Sequence, residues 1–446
     1  MDLISRTRAA VWHPCTQMQH LEGRAPLAVA RGEGAWLIDT EGRRYLDAIS
    51  SWWVNLFGHC NPRINAAISD QLTKIEHVML AGATHAPVVE LSERLGRLTG
   101  LGHAFYASDG ASATEIALKM SAHYWRNAGR PEKNGFISLQ NGYHGETVGA
   151  LSVTDIPLFK ATYAPLLRHT KQMPTPDARR AEPGESAEAY ALRCAAALEA
   201  HLAGHAASTA AFILEPLVQG AAGMAMYHPA YLGRARELCD RYQVHLIADE
   251  IAVGFGRTGT MFACEQALTP SSCGIPADRA GVRPDFICLS KGLTGGYLPL
   301  SAVLTTDAIY EAFYGEETAQ GFLHSHSYTG NPLACRAALA VLDIFEHDQV
   351  IAANRAKAIE FTQILEEVAT HRRVRNFRHL GMIWAFEVSD AAPGFADRFH
   401  RAALAQGVFI RPIGNTVYAM PPYVVDAAAM RQLADALLAC LGEAEV

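Results

Sequence analysis

The chain lacks the features that would tie it to a membrane, a nucleic acid or a disulfide scaffold. Its longest apolar stretches, such as Leu433–Leu441, are broken by Asp435 and are too short to span a bilayer. Met1 to Val11 holds no apolar core of a secretory signal. Only 19% of residues are charged, and the formal charge of −7 is spread without a basic stripe or an acidic tail. That distribution argues against nucleic acid or an anionic membrane as the main partner. The nine cysteines (15, 60, 194, 239, 264, 273, 288, 335 and 440) are odd in number and form no C-x-x-C pair. Neither a zinc site nor a disulfide framework is indicated, and the thiols read as reduced and mostly buried. No internal repeat marks a solenoid or propeller. The expectation is a soluble, cytoplasmic protein.

What is present is a large hydrophobic fraction, 50% of 446 residues, enough for two domains. Short apolar runs alternate with segments of helical period through the middle of the chain. The runs Ala104–Ala107, Phe136–Leu139, Ala211–Leu214, His245–Ala248, Phe286–Leu289 and Ser301–Thr305 read as buried strands. Helices such as Ala113–Asn127 and Pro229–Tyr242 lie between them. This alternation predicts an α/β domain with a mainly parallel sheet. Ala267–Val282 and Thr175–Ser186 read as surface loops. After Pro332 the pattern changes to a long helical region (Ala334–Thr370), a meander around Val374–Val388, a helix near Ala396–Gln406 and a hairpin-like stretch at Val408–Pro421. The expected organisation is a large domain over 60–330 and a smaller α+β domain built from 1–59 and 331–446.

The densest motif is Leu246-Ile-Ala-Asp-Glu-Ile-Ala-Val-Gly-Phe-Gly-Arg-Thr-Gly259. A buried strand delivers Asp249 to its carboxyl end, where open α/β sheets bind ligands. A carboxylate there suits an ionised partner for a pyridinium nitrogen, although Asp also commonly caps the segment after a strand. Pro284-Asp-Phe-Ile-Cys-Leu-Ser-Lys-Gly-Leu-Thr-Gly-Gly296 again runs a strand into a turn. Lys291 there faces a crevice rather than solvent, and a partly deprotonated lysine forms imines with aldehydes. Most lysines simply lie along the surface, so the Gly-rich flank and the nearby acidic strand end are what favour chemistry. Ser108-Asp-Gly-Ala-Ser-Ala-Thr-Glu115 follows a strand and opens a helix, offering N–H groups to a phosphate or merely an ordinary cap. In Asn141-Gly-Tyr-His-Gly145, Tyr143 can stack on a flat ring or serve as plain core. Ser325-His-Ser-Tyr-Thr-Gly-Asn331 offers hydroxyls. His324 and His326 lack the neighbouring Cys or carboxylates of a metal centre, so no metal is expected.

Taken together, Asp249, the Gly-Phe-Gly-Arg-Thr-Gly run, Ser-Lys291-Gly and Thr-Gly-Asn-Pro332 resemble the class III, fold-type I, pyridoxal-phosphate-dependent aminotransferases, over nearly the whole chain. The resemblance implies a large domain with a mainly parallel seven-stranded sheet, pyridoxal 5′-phosphate as cofactor, and a homodimer with a shared active site. Lys291 would hold the cofactor as an imine and shuttle the proton. Asp249 would pair with the pyridine nitrogen and Tyr143 would stack on the ring. Gly110 and Ala111 would sit at the phosphate, joined by Ser327 from the second subunit. Trp12-His-Pro14, Ser50-Ser-Trp-Trp53, Thr84-His-Ala-Pro87, Met226-Tyr-His-Pro229, Arg411-Pro412 and Met420-Pro-Pro-Tyr423 are similar to the branch that aminates 8-amino-7-oxononanoate in biotin biosynthesis, with S-adenosylmethionine as donor. On that resemblance Trp52, Trp53, Tyr143, Lys291, Arg257 and Arg411 bind substrate, the tryptophans lining a channel and Arg411 holding a carboxylate. Departures from the branch are Cys15 for a tyrosine, Ala111 for a serine and Glu146 for an aspartate. Cys15 leaves lysine open as the donor. An ω-amino-acid aminotransferase, an aminomutase and a cofactor-binding regulatory module remain as alternatives.

Overall fold

The computed structural model describes residues 2–267 and 281–442. The expected loop Ala267–Val282 therefore lies almost wholly outside the described residues.

A seven-stranded sheet forms the centre, in the order 103–107, 301–305, 286–289, 245–249, 209–214, 135–139 and 171–173. Pairings from 286–289 through to 171–173 are all parallel, whereas 301–305 is antiparallel to both its neighbours. The six strands read from sequence are all present. The seventh, Lys171–Met173, is a three-residue edge strand with one buried side chain, so it shows no apolar run to read.

Alternation along the strands sends side chains to two cores. Ile213, Ile247 and Cys288 meet Ala113, Ile116, Ala117 and Met120 of the helix Gly110–Asn127 on one face. Phe212, Leu214, Leu246, Ala248, Ile287 and Leu289 belong to the larger core on the other. With helices on both faces and every strand but 301–305 running the same way, the residues at or just past the carboxyl ends gather along one edge. Ser108, Gln140, Glu215, Asp249 and Ser290 all stand there.

The two ends of the chain fold together. Val408–Phe409 pairs in parallel with Leu46–Asp47, closing a sheet of order 29–33, 36–39, 44–47, 408–409. A second small sheet joins 374–380, 383–388 and 416–419. The expected hairpin at 408–421 is thus only local. Ile413 and Thr416 exchange hydrogen bonds of 2.9 Å across Gly414 and Asn415, but the flanking strands leave for different sheets. Pro412, with no N–H to continue the ladder, stands at the parting. The long helical region is three helices, Pro332–His347, Val350–Ile364 and Glu366–Thr370, the first break falling at Gln349 with φ 49°. Among the described residues no helix is long and apolar enough to cross a membrane.

The second small sheet docks on the central motif at Gly381. The Met382 N–H donates to the Arg257 carbonyl at 2.8 Å. Gly381 has φ 56°, and a Cβ there would meet the Arg257 oxygen at 2.4 Å and the Gly259 nitrogen at 2.5 Å. Gly381→Ala therefore collides with backbone that cannot move without breaking the dock. It is expected to cost at least about 3 kcal/mol, read as a fall in the urea midpoint.

Candidate active site

Asp249 ends its strand with both carboxylate oxygens engaged. Oδ2 lies 2.7 Å from Nδ1 of His144, and Oδ1 accepts the Ile251 N–H at 3.1 Å. The cap and the charge are both present: one oxygen ties down the following turn, the other faces a buried imidazole. His144 is itself held through its backbone, donating N–H to Thr154 Oγ1 and accepting from Thr114 Oγ1, both at 2.9 Å. Its Nε2 is buried with no hydrogen-bond partner among the described residues. As hydrogen-bond donor to the Asp249 carboxylate oxygen, Nδ1 carries the ring proton.

Lys291 follows its strand in the left-handed region at φ 43°. Its ammonium lies 4.6 Å from the centre of the Trp53 ring. Burial lowers its pKa below the ordinary lysine value, against the opposing charges of Asp249 and Glu215. A larger neutral fraction at neutral pH is what a nucleophilic amine needs.

Glu215 escaped the sequence reading. It follows the wholly buried strand Thr209–Leu214 just as Asp249 follows its own. It accepts the Tyr143 N–H at 3.0 Å and the Gly220 N–H at 2.9 Å. Burial, reinforced by Asp249, pushes its carboxyl up to about 7. His144 was likewise not assigned a role. The signal for both was on view: a carboxylate straight after an apolar strand, and a histidine beside the predicted tyrosine.

Tyr143 donates its hydroxyl to Glu146 at 2.9 Å and meets Phe159 edge-on at 5.8 Å. Burial, then the Glu146 charge, raise its phenol. The loop carrying it rides on the helix Gly110–Asn127: a Cβ on Gly145, φ 116°, would come within 2.6 Å of the Ala111 Cβ. Asp109 caps that helix by accepting the Ser112 N–H at 2.9 Å. Among the described residues the N–H groups of Gly110 and Ala111 have no hydrogen-bond acceptor within the chain. A Cβ on Gly110 would sit 3.1 Å from Ile251, in the turn after Asp249. The phosphate-type cradle and the carboxylate are therefore neighbours.

Trp53 is 5% exposed, and Trp52 is 47% exposed with the Arg411 guanidinium 5.7 Å from its ring. Both belong to a left-handed turn, Ser50 to Trp53, that costs roughly 1–2 kcal/mol per residue in L-amino acids. Cys15 shares this rim: its thiol is raised by burial and by Glu146, and lowered by Arg411. Arg257 is not on the rim. It is 1% exposed, inside the wall. Ser327 is exposed on 321–330, and among the described residues no hydrogen bond joins it to those around Asp249. His324 Nδ1 lies 2.8 Å from Lys119 Nζ, and among the described residues no group of three His, Cys, Asp or Glu could hold a metal.

Comparison with known proteins bears on the same residues. The family described as aminotransferase class-III matches residues 18–441. The chain is a class III aminotransferase. Among its relatives, an adenosylmethionine-8-amino-7-oxononanoate aminotransferase of Helicobacter pylori is 43% identical over 441 residues, covering 97% of this chain and 96% of that one. A protein of the same name from Geobacter sulfurreducens is 41% identical, covering 96% and 95%. The crystal structure of the aminotransferase so named from Methanocaldococcus jannaschii superposes with a TM-score of 0.91 at 37% identity, covering 100% and 99%. An amine transaminase from an uncultivated Pseudomonas species, in its PLP-bound form, gives 0.88 at 33%, covering 97% and 98%.

The aminotransferase uses pyridoxal 5′-phosphate, and its residues fit that group on three counts. The helix at Gly110 offers free N–H groups and a positive dipole end to the phosphate. Asp249 places a buried anion one turn away. Lys291 supplies a primary amine of lowered pKa near that anion.

Glu215 makes a sharp pH prediction. A carboxyl whose folded pKa lies above its unfolded one stabilises the fold at low pH. That contribution falls as pH rises from 4.5 to about 7 and is flat beyond. At about 1.4 kcal/mol per unit, the loss is roughly 3 kcal/mol. Glu215→Gln should lack this loss, so its stability relative to the parent climbs across that window in urea titrations.

Proposed function

We propose that this aminotransferase acts in biotin biosynthesis, converting 8-amino-7-oxononanoate to 7,8-diaminononanoate with S-adenosylmethionine as amino donor. The carrying observation is that relatives spanning 96–97% of the chain at up to 43% identity bear that one name. The rim agrees in kind. An exposed indole at Trp52 suits an aliphatic chain, and the Arg411 guanidinium beside it suits a terminal carboxylate.

When bound, pyridoxal 5′-phosphate supplies an aldehyde that takes up the amino group and a ring that draws electrons from the carbon bearing it. The N–H groups of Gly110 and Ala111 hold its phosphate, completed by Ser327 from the second copy of a homodimer. Tyr143 covers the ring. Asp249 holds a positive charge at the ring nitrogen, and His144 and the Ile251 N–H keep that carboxylate aimed. Lys291, its amine partly neutral through burial, removes the proton from the donor's α-carbon and later delivers one to C7 of the oxononanoate. Trp53 shields that amine from water. Large and small domains divided at about 60 and 330 belong to the same proposal, as does a cytoplasmic location.

Cys15 favours one second reading. Without a hydroxyl at that position the donor site loses a polar contact, and lysine is the alternative donor. The test adds donors singly to the yellow enzyme and follows the colour. S-adenosylmethionine should bleach it, and 8-amino-7-oxononanoate should restore it. Bleaching by lysine alone moves the assignment to the lysine branch; bleaching by glutamate with no response to the oxononanoate removes it from biotin synthesis. Lys291→Ala should cut turnover by about four orders of magnitude with an unchanged circular dichroism spectrum.

A further inference from the structure

Ser50, Ser51, Trp52 and Trp53 turn left-handed in succession, with φ of 51°, 46°, 72° and 71°, and none is glycine. In that conformation Cβ crowds the following carbonyl, so such runs persist only where their surroundings over-determine them. Two buried charged groups do this. The Asp47 carboxylate accepts the Ser51 N–H at 2.8 Å and the Ser51 hydroxyl at 2.7 Å, with His59 Nε2 at 3.0 Å. Arg257 donates to Ser50 Oγ at 2.8 Å, to the Asn55 carbonyl at 3.3 Å and to the Pro421 carbonyl at 2.6 Å, while lying 4.8 Å over the Tyr423 ring. Ser50 Oγ in turn donates to the Met420 carbonyl at 2.7 Å.

The turn has a consequence at the site. It brings the Trp53 indole against both the Lys291 amine and Gly220, where a Cβ would lie 3.0 Å from the ring. The indole nitrogen is pinned to the Tyr418 hydroxyl at 3.1 Å. Trp52, its successor's opposite in exposure, faces Arg411. A relaxed, right-handed turn would point both rings elsewhere.

We propose that Asp47 and Arg257 are positioning residues that hold this left-handed turn and through it the two indoles that decide which substrate chain the site accepts. Arg257 acts from inside the wall, where it is 1% exposed. The proposal rests on the reading that the indoles line the substrate channel.

The test pairs disruption with rescue. Asp47→Ala in the holoenzyme should raise KM for 8-amino-7-oxononanoate by about tenfold or more while kcat changes less than about threefold. Adding Ser51→Gly, which removes the steric penalty of a positive φ, should recover most of that KM. A merely structural role for Asp47 would lower thermal stability without this split or its glycine rescue. Arg257→Lys, which keeps the charge but not the forked geometry, should raise KM in the same way. Should Asp47→Ala not accumulate, Asp47→Asn keeps one acceptor and should show a smaller rise in KM. Crystal structures of the variants read the turn whatever the substrate proves to be. Ser51 is expected to leave the left-handed region in Asp47→Ala and to return to it with glycine. A turn that stays left-handed in Asp47→Ala, or one that relaxes with KM unchanged, overturns the proposal. Absence of any activity toward the oxononanoate, with the turn responding as expected, fails the functional reading instead.

Discussion

The structure depends on a carboxylate held where water is scarce. Asp249 is buried at the end of a central strand, and an isolated anion there would be costly. The Ile251 N–H and the His144 ring each take one of its oxygens, and His144 is fixed in turn through Thr114 and Thr154. Three separate elements are thereby committed to one side chain: the helix after 103–107, the loop after 135–139, and the strand itself. Glu215, one strand over, has no side-chain partner of that kind among the described residues. Two backbone N–H groups do not offset its burial, and it is pushed towards its neutral form. The two acids stand at equivalent strand ends in different surroundings.

That asymmetry bears on Lys291. A buried amine loses its proton more readily, while nearby anions restore it. Burial outweighs the pull of the two acids, so the lysine sits near the carboxylate that the chemistry requires with its amine pKa still lowered. The Trp53 face adds a moderate cation–π contact, weaker than an ion pair and therefore easier to leave.

How much of this was legible follows from what residue types can announce. Asp249 and Lys291 could be read because an apolar strand ending in a charged residue is a conspicuous break of pattern. Glu215 carries the same break and was equally readable. His144 was named within its motif, but its contact with Asp249 spans 105 residues, which no local pattern encodes. Six strands were visible as apolar runs; Lys171–Met173 was not, because a short edge strand needs no such run. The stretch 408–421 reads as a hairpin because its turn is one, and only tertiary pairing shows that its arms part. The turn at 50–53 was hidden most completely. Positive φ is ordinarily signalled by glycine or asparagine, and two serines and two tryptophans signal nothing of the kind.

The run 246–259 reconciles chemistry with selectivity. Its strand carries Asp249, while its glycine-rich end carries Arg257, whose side chain grips Ser50, Asn55 and Pro421 and whose carbonyl receives the Met382 N–H. One segment of fourteen residues thus binds the centre of the large sheet to both small sheets, the first assembled from the two ends of the chain and the second from its C-terminal part. Any shift of the terminal sheets relative to the central one must be transmitted through Arg257 or must break its buried hydrogen bonds, which is costly for an unpaired cation. The position of the indole wall is therefore referred to the same strand that positions the carboxylate. A site built in this way can change its substrate by altering rim residues such as Cys15, Trp52 and Arg411, and leave the distance between Asp249 and Lys291 untouched.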